Sequence, residues 1–343
     1  MKKIWLYTVR SYITLGLFFY YRRIQVKHVD KVPSKGPVLF VSNHNNALMD
    51  ALLIATQSGR FSYFLTRASV FKKPLVNALL RSLNMLPVYR KRDGWNTVAN
   101  NTAIFENCSR CLNSGEVVAL FPEGNHHINR TVRPLSKGFT RIVFETMERF
   151  PETDLKLIPI GLNYEQADAF ADSVSLYFGS EILAKDYMHG DKTTEINRLK
   201  SDVWMALTQL TSHISADNYD ININKLKSLH ADFLNPEVVN VCMASQFQNC
   251  TFRKKKQPKK IKAFFKLLLI VLLIVPYGIW KGIAEPKVKE VEFVATFRFA
   301  MAISLVPIWM AILFVILLLS LGLTYAVVYV FLALLFSLLA VKL

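Results

Sequence analysis

The chain has 343 residues, enough for one large domain or two smaller ones around a substantial buried core, so it is no stapled mini-protein. Hydrophobic residues make up 52% against 20% charged, and a mean hydropathy of +0.25 is too positive for a disordered chain or an ordinary soluble enzyme, which points to a membrane. Lys plus Arg number 42 against 25 Asp plus Glu, a formal +17, and such an excess calls for a negative partner, either nucleic acid or anionic lipid headgroups.

Residues 1–29 open with Lys2 and Lys3 and continue as an aromatic-rich apolar run. Arg10 interrupts that run, and Tyr20-Tyr21-Arg22-Arg23 is no signal-peptide cleavage site. The pattern predicts a retained amphipathic helix in the membrane interface, with Trp5, Tyr7, Tyr12 and Tyr20 at headgroup level.

Residues 30–250 alternate short apolar runs with helical periodicity. Strands are expected at 37–42, 61–66, 86–89, 117–121 and 155–162, and helices at 47–55, 70–83, 96–112 and 139–150. Apolar Ile196, Leu199, Val203, Leu207 and Leu210 keep helical spacing further on. This rhythm predicts an α/β domain with a mainly parallel sheet flanked by helices, the class in which sites gather at the carboxyl ends of strands.

Residues 251–298 begin with a basic block at 253–262 that holds seven cations and no acid. Beside apolar runs it reads as a juxtamembrane contact to anionic membrane lipids rather than a solvated linker or a nucleic-acid tail. Leu267 to Trp280 is apolar but short and carries Pro276 and Gly278, which leaves it between a span and a re-entrant segment. Phe299 to Val341 contains no charged residue, and about 20 apolar residues cross a bilayer. Residues 299–343 are therefore expected to form a transmembrane hairpin, helices near 305–320 and 324–341 turning at Gly322. Arg298 and Lys342 flank it, so both ends and the preceding domain should face the cytoplasm in a multi-pass membrane protein.

The four cysteines, Cys108, Cys111, Cys242 and Cys250, make no disulfide framework in a chain of this size and fit a reducing compartment. Cys108 and Cys111 form a lone CxxC with no second ligand pair at zinc spacing, so helical neighbours are a sufficient explanation.

The residues that could carry chemistry sit at predicted strand ends. The run at 37–42 leads into Asn43, His44 and, after one turn, Asp50. A His held by a carboxylate is an oriented general base, although the same two residues could merely cap the helix. No Ser occupies a nucleophile elbow, so the proton removed would belong to a substrate hydroxyl. The strand at 117–121 ends in Phe121-Pro122-Glu123-Gly124, where Glu123 could orient a substrate group and Gly124 could let backbone approach it. Lys137-Gly138 stands ahead of a helix, a place suited to an anion, and Arg90 after the strand at 86–89 offers a bidentate fork to phosphate. Each alone reads as solvated surface; their shared location after successive strands favours a site.

Together these segments, over about residues 30–165, resemble the lysophospholipid acyltransferase superfamily. The first block of that family, Asn before a His-four-residues-Asp signature, is matched by Asn43, His44 and Asp50; the second, a strand ending in Arg, by Leu86 to Arg90. The third is matched by Phe121 to Gly124 with the later Lys137-Gly138, and the fourth by Leu157-Ile158-Pro159-Ile160-Gly161. Two departures stand out: five residues separate His44 from Asp50, which changes the register of the helix face, and Asn125-His126-His127 replaces the usual Thr-Arg-Ser, so that Arg130 or Arg133 would have to supply the cation.

The resemblance implies an acyltransferase of phospholipid biosynthesis, like those acting on glycerol 3-phosphate or 1-acylglycerol 3-phosphate. His44 would deprotonate the acceptor hydroxyl of glycerol phosphate or a lysophospholipid while Asp50 orients the imidazole. Asn43, Arg90, Glu123, Gly124 and Lys137 would bind substrate. The donor would be acyl-CoA or acyl carrier protein, attacked without an acyl-enzyme, with no cofactor and no metal. The altered third block also admits another lipid acceptor such as a lyso-aminolipid. Two competing readings are a metal hydrolase using His44, Asp50, Glu123, His126 and His127, which lacks metal-site helix spacing, and a non-enzymatic basic membrane adaptor, which leaves the four blocks unexplained.

Overall fold

The computed structural model describes residues 1–89, 101–252 and 259–343. Its centre is one sheet built from β1 (Arg23–Lys27), β2 (Val38–Ser42), β3 (Ser62–Arg67), β4 (Met85–Val88), β5 (Val117–Leu120), β6 (Lys156–Tyr164), β7 (Ser173–Phe178) and β8 (Ile182–Leu183). The order is β1-β7-β6-β2-β5-β3-β4, with β8 beside β6. Pairs β2/β5, β2/β6, β3/β5, β3/β4 and β1/β7 are parallel, while β7 and β8 run antiparallel to β6.

The sheet is the middle layer of three, because its strands bury both faces and alternate their side chains. Leu39, Val41, Val118 and Leu120 meet helices Asn101–Asn113, Gly138–Arg149 and Lys192–Leu210 on one face. Val38, Phe40, Val117 and Ala119 meet helix Ala47–Gln57 on the other, together with Leu17 and Tyr20 from the N-terminal helix Lys2–Tyr20 and Ala295 and Phe299 from the first C-terminal helix. The membrane-type helices are thus continuous with the core of the sheet domain.

Four expectations change. Strand β1 lies inside the segment 1–29 and pairs in parallel with β7, so the sheet begins at Arg23 and not at 30; Arg23 and Lys27 on a short edge strand hide it in a basic stretch. Strands β7 and β8 are additional, and both make the sheet mixed on that side. The helix expected over 70–83 starts at Pro74, after a single turn at Ala68–Phe71, since proline suits the first helical position. Cys242 and Cys250 form a disulfide, against the expectation that all four cysteines are reduced. It closes a small helical subdomain in which Ile214, Ile223, Leu226, Phe233 and Val239 cluster. Cys108 and Cys111 are free, and burial pushes the Cys108 thiol up to about 12.

At the C-terminus, helices Val294–Leu321 and Leu323–Lys342 are long and apolar enough to cross a membrane. Gly322 joins them with φ +94, a backbone state open to glycine. Pro307 and Ser337, each 15 residues from Gly322, line one cavity, so the helices fold back as a hairpin. Both ends return to the same place, as Tyr20 Oη donates to the Ala295 carbonyl (3.2 Å) and Lys342 Nζ to the Tyr21 carbonyl (2.9 Å). The apolar run around 267–280 belongs to a helix pair, Lys260–Leu272 and Ile274–Lys287, bent by 97°.

Candidate active site

The parallel register sets the site. Val41 pairs with Leu120 across β2 and β5, and His44 and Glu123 each lie three residues past that pair, so the two loops leave the sheet side by side. Asn43 is buried and ties its loop to the neighbouring strand: its amide donates to the Leu162 carbonyl (2.9 Å) and its oxygen accepts from Leu162 N–H (2.8 Å).

His44 Nδ1 is 2.8 Å from Asp50 Oδ2, and the Asp50 side chain is fully buried. The same oxygen accepts the backbone N–H groups of Asn45 and Asn46, both at 2.8 Å, and Oδ1 accepts the Tyr164 hydroxyl at 2.5 Å. A carboxylate offers only acceptors here, so Nδ1 carries the imidazole proton and Nε2 keeps its lone pair. The helix that carries Asp50 starts at Ala47, with φ +40. A left-handed non-glycine residue costs on the order of 1 kcal/mol, which the four bonds to Asp50 offset. Burial raises Tyr164 well above the ordinary phenol range, and the Asp50 charge adds to it, so Tyr164 is a hydrogen-bond donor at any working pH.

The imidazole stacks on Phe121, centroids 4.0 Å apart, and meets the edge of His126 at 5.6 Å. His126 is held from the juxtamembrane segment, by Glu290 Oε2 at 3.1 Å from its Nε2 and by Phe293 at 4.7 Å between ring centroids. Desolvation lowers the His126 pKa.

Glu123 does not present a free carboxylate. Its Oε1 accepts the His44 backbone N–H (3.1 Å) and its Oε2 accepts Arg133 Nε (2.8 Å), with the side chain 3% exposed. It therefore joins the two loops. Gly124 has φ +72 at the end of a turn closed by its N–H on the Phe121 carbonyl (3.1 Å), a conformation that favours glycine. Lys137 precedes helix Gly138–Arg149 and is exposed. Arg90 lies outside the described residues.

Of the two cations considered as replacements, Arg133 is bound to Glu123. Arg130 is half-buried, donating to the carbonyls of Tyr164 (2.7 Å) and Glu165 (2.9 Å) over the Phe233 ring. Desolvation lowers its pKa to about 10. A cleft of about 430 Å³ opens beside Asn43 and Asn45, with Arg130, Tyr164 and Asp168 among its walls. Among the described residues no three His, Cys, Asp or Glu side chains converge as metal ligands.

Tyr164, Glu290 and Phe293 carry no local sequence signal. Tyr164 is 114 residues from Asp50, and Glu290 is 164 from His126.

A family model described as Acyltransferase matches residues 23–163. An uncharacterized acyltransferase of Schizosaccharomyces pombe is 21% identical over 324 residues, covering 67% of this chain and 48% of that protein. Glycerol-3-phosphate O-acyltransferase 1 of Saccharomyces cerevisiae is 24% identical over 100 residues, 29% of this chain and 13% of that one. The chain thus spans half or less of these relatives. The crystal structure of PlsC, the 1-acyl-sn-glycerophosphate acyltransferase of Thermotoga maritima, aligns with TM-score 0.43 at 18% identity over 59% of this chain and 79% of that chain. The segment that matches the Acyltransferase family model opens with β1 and closes on Asn163 in β6, and so holds both loops that carry His44 and Glu123.

Proposed function

We propose that the chain is a membrane-bound O-acyltransferase of phospholipid synthesis. It would move a fatty acyl group from the thioester of acyl-CoA or acyl carrier protein to a hydroxyl of glycerol phosphate or a lysophospholipid. The observation that carries this reading is the 2.8 Å contact between His44 Nδ1 and a fully buried Asp50.

In this reading Nε2 of His44 takes the proton of the acceptor hydroxyl as its oxygen attacks the thioester carbonyl. Asp50 stabilises the imidazolium that forms. The tetrahedral intermediate collapses by breaking the carbon–sulfur bond, and the imidazolium returns its proton to the thiolate. One ester and one thiol are produced, and no acyl group resides on the protein. Lys137 and Arg90 supply charge for an acceptor phosphate, while Glu123 and Arg133 hold the loop beneath His44. The hairpin keeps the site at the bilayer where acceptor and product reside, with the catalytic domain on the cytoplasmic face.

The test is an assay of the purified full chain with labelled acyl-CoA and acyl carrier protein against glycerol 3-phosphate, 1-acylglycerol 3-phosphate and a lyso-aminolipid. Ester product and free thiol should appear in equal amounts with one of the phosphorylated acceptors. Thiol release without ester would mean thioester hydrolysis, and an ester formed only on the aminolipid would replace the phosphorylated acceptor.

A further inference from the structure

The membrane-type helices enclose an apolar cavity that takes no part in the chemistry above. Its volume is about 470 Å³, within the roughly 300–1,000 Å³ of small-ligand pockets. Phe19 of the N-terminal helix, Phe170 of the β6–β7 loop, Leu273 at the 97° bend, Ala302 and Val306 of the first hairpin helix and Ala333 of the second all face it. The bend that opens it is built into the protein. It frees the Leu272 carbonyl, and Trp309 Nε1 (3.1 Å) and Tyr329 Oη (3.4 Å) both donate to that oxygen. Broken helix backbone among membrane helices persists where protein satisfies it or where it lines a cavity, and both hold here.

Two cations stand in the same wall, Lys266 and Arg298. Arg298 donates from Nε to Tyr20 Oη (3.0 Å) and from Nη2 to the Asp168 carbonyl (2.7 Å), both neutral acceptors. Among the described residues neither cation meets a carboxylate, whereas the third one in the wall, Lys281, pairs with Glu285 at 2.6 Å. A guanidinium presents five N–H donors in a planar fork suited to phosphate, so the charge of Arg298 and part of its fork remain available beside an apolar chamber.

We propose that this cavity is a binding site for an anionic phospholipid, with one acyl chain inside and the phosphate on Arg298 and Lys266. Charge complementarity selects a net anionic lipid, because the ammonium of a zwitterionic headgroup would meet the same two cations. The site shares no residue with the His44–Asp50 pair and does not depend on acyl transfer. It does touch the catalytic domain: Arg298 holds the Asp168 carbonyl, and Asn46, at the start of the helix that carries Asp50, donates to the adjacent Ala167 carbonyl at 2.8 Å.

The test uses the full chain purified in detergent and incubated with equimolar phosphatidylglycerol and phosphatidylcholine of identical chains, with retained lipid counted by native mass spectrometry. The wild type should retain one anionic lipid with a preference of about tenfold, as repulsion between the choline ammonium and a nearby cation, worth about 1 kcal/mol, implies. Arg298→Gln should bring that preference close to unity, and Ala302→Trp, which fills the chamber, should abolish retention of both lipids. Because the basic block at 253–262 also attracts anionic headgroups, a variant with Gln at Arg253, Lys254, Lys255 and Lys256 should keep the tightly retained lipid. Arg298→Lys separates charge from folding and should restore part of the preference. Equal retention of the two lipids by the wild type, an unchanged preference in Arg298→Gln, or loss of the retained lipid on neutralising the basic block would each overturn the proposal.

Discussion

Tyr164 Oη sits 2.5 Å from Asp50 Oδ1 while His44 Nδ1 sits 2.8 Å from Asp50 Oδ2, so one buried carboxylate is gripped from both sides. The phenol fixes the plane of the carboxylate and the carboxylate fixes the imidazole. Tyr164→Phe removes the donor and keeps the ring. It should lower kcat by about three- to tenfold with KM unchanged, and lower stability by on the order of 1–3 kcal/mol, the worth of a hydrogen bond to a charged group. Steady-state kinetics with a denaturation curve checks this, and a variant with wild-type kcat would show that Tyr164 only fills space.

Removal of the base should be far more severe. His44→Ala is expected to cut acyl transfer by at least about a hundredfold while circular dichroism stays unchanged. Asp50→Asn should fold and lose much of its turnover, because an amide cannot stabilise an imidazolium. Near-wild-type turnover in either variant would refute the mechanism.

Lys137 is exposed and, among the described residues, no carboxylate pairs with it, which suits it to meet a substrate anion. Lys137→Ala should raise KM for a phosphorylated acceptor by about tenfold with little change in kcat, as expected when a contact binds ground and transition states alike. Arg90→Ala should behave the same way. An unaltered KM in both would point to an acceptor without a phosphate at that place.

Asp172 offers a pH test of the fold. Burial raises its pKa from 3.8 to about 7, its Oδ1 accepts the Gln166 N–H at 2.9 Å, and its Oδ2 is buried without a partner. A folded pKa above the unfolded one means that the folded chain holds the proton more tightly. The stabilising contribution is therefore complete below the unfolded value and is lost as pH rises through about 7. Asp172→Asn imitates the protonated form. Thermal unfolding between pH 5 and pH 8 should cost the wild type more stability than the variant, by on the order of a few kcal/mol. Parallel curves for the two proteins would contradict this.

The hairpin makes a topological prediction. Helix Val294–Leu321 has 28 residues, about 42 Å at 1.5 Å per residue, more than the roughly 30 Å of hydrocarbon in a bilayer. With both hairpin ends beside Tyr20 and Tyr21, a cysteine placed next to Gly322 in a Cys111→Ser background should react with an impermeant thiol reagent from outside intact cells. One next to Lys342 should not. Labelling of Lys342's neighbour alone would put the sheet domain, which packs against both hairpin ends, on the outer side and overturn this orientation.

The layered α/β domain, the hairpin and the positions of His44 and Asp50 were legible from local pattern. Apolar runs bounded by turns mark buried parallel strands, 43 consecutive uncharged residues mark two helices long and apolar enough to cross a membrane, and a His and an Asp a turn apart mark a side-chain pair. These signals are local because each depends on residues close together in the chain. Strand β1 was hidden because two cations on a five-residue edge strand resemble the tail of an amphipathic helix, and the Cys242–Cys250 bridge was hidden because pairing depends on where two helix ends meet.

Only the tertiary structure decided what Glu123 does and what completes the pair. In sequence Glu123 is one acid among 25; the parallel register of β2 and β5 sets it against the His44 backbone, and Arg133 neutralises its other oxygen. Tyr164 reaches Asp50 because β6 lies next to β2 in the sheet, and Glu290 and Phe293 reach His126 because the first hairpin helix begins against the sheet core at Ala295. Between His44 and Asp50, Ala47 takes a positive φ of +40, a choice that no local propensity favours. It persists because four hydrogen bonds to one buried carboxylate outweigh the strain of a single residue.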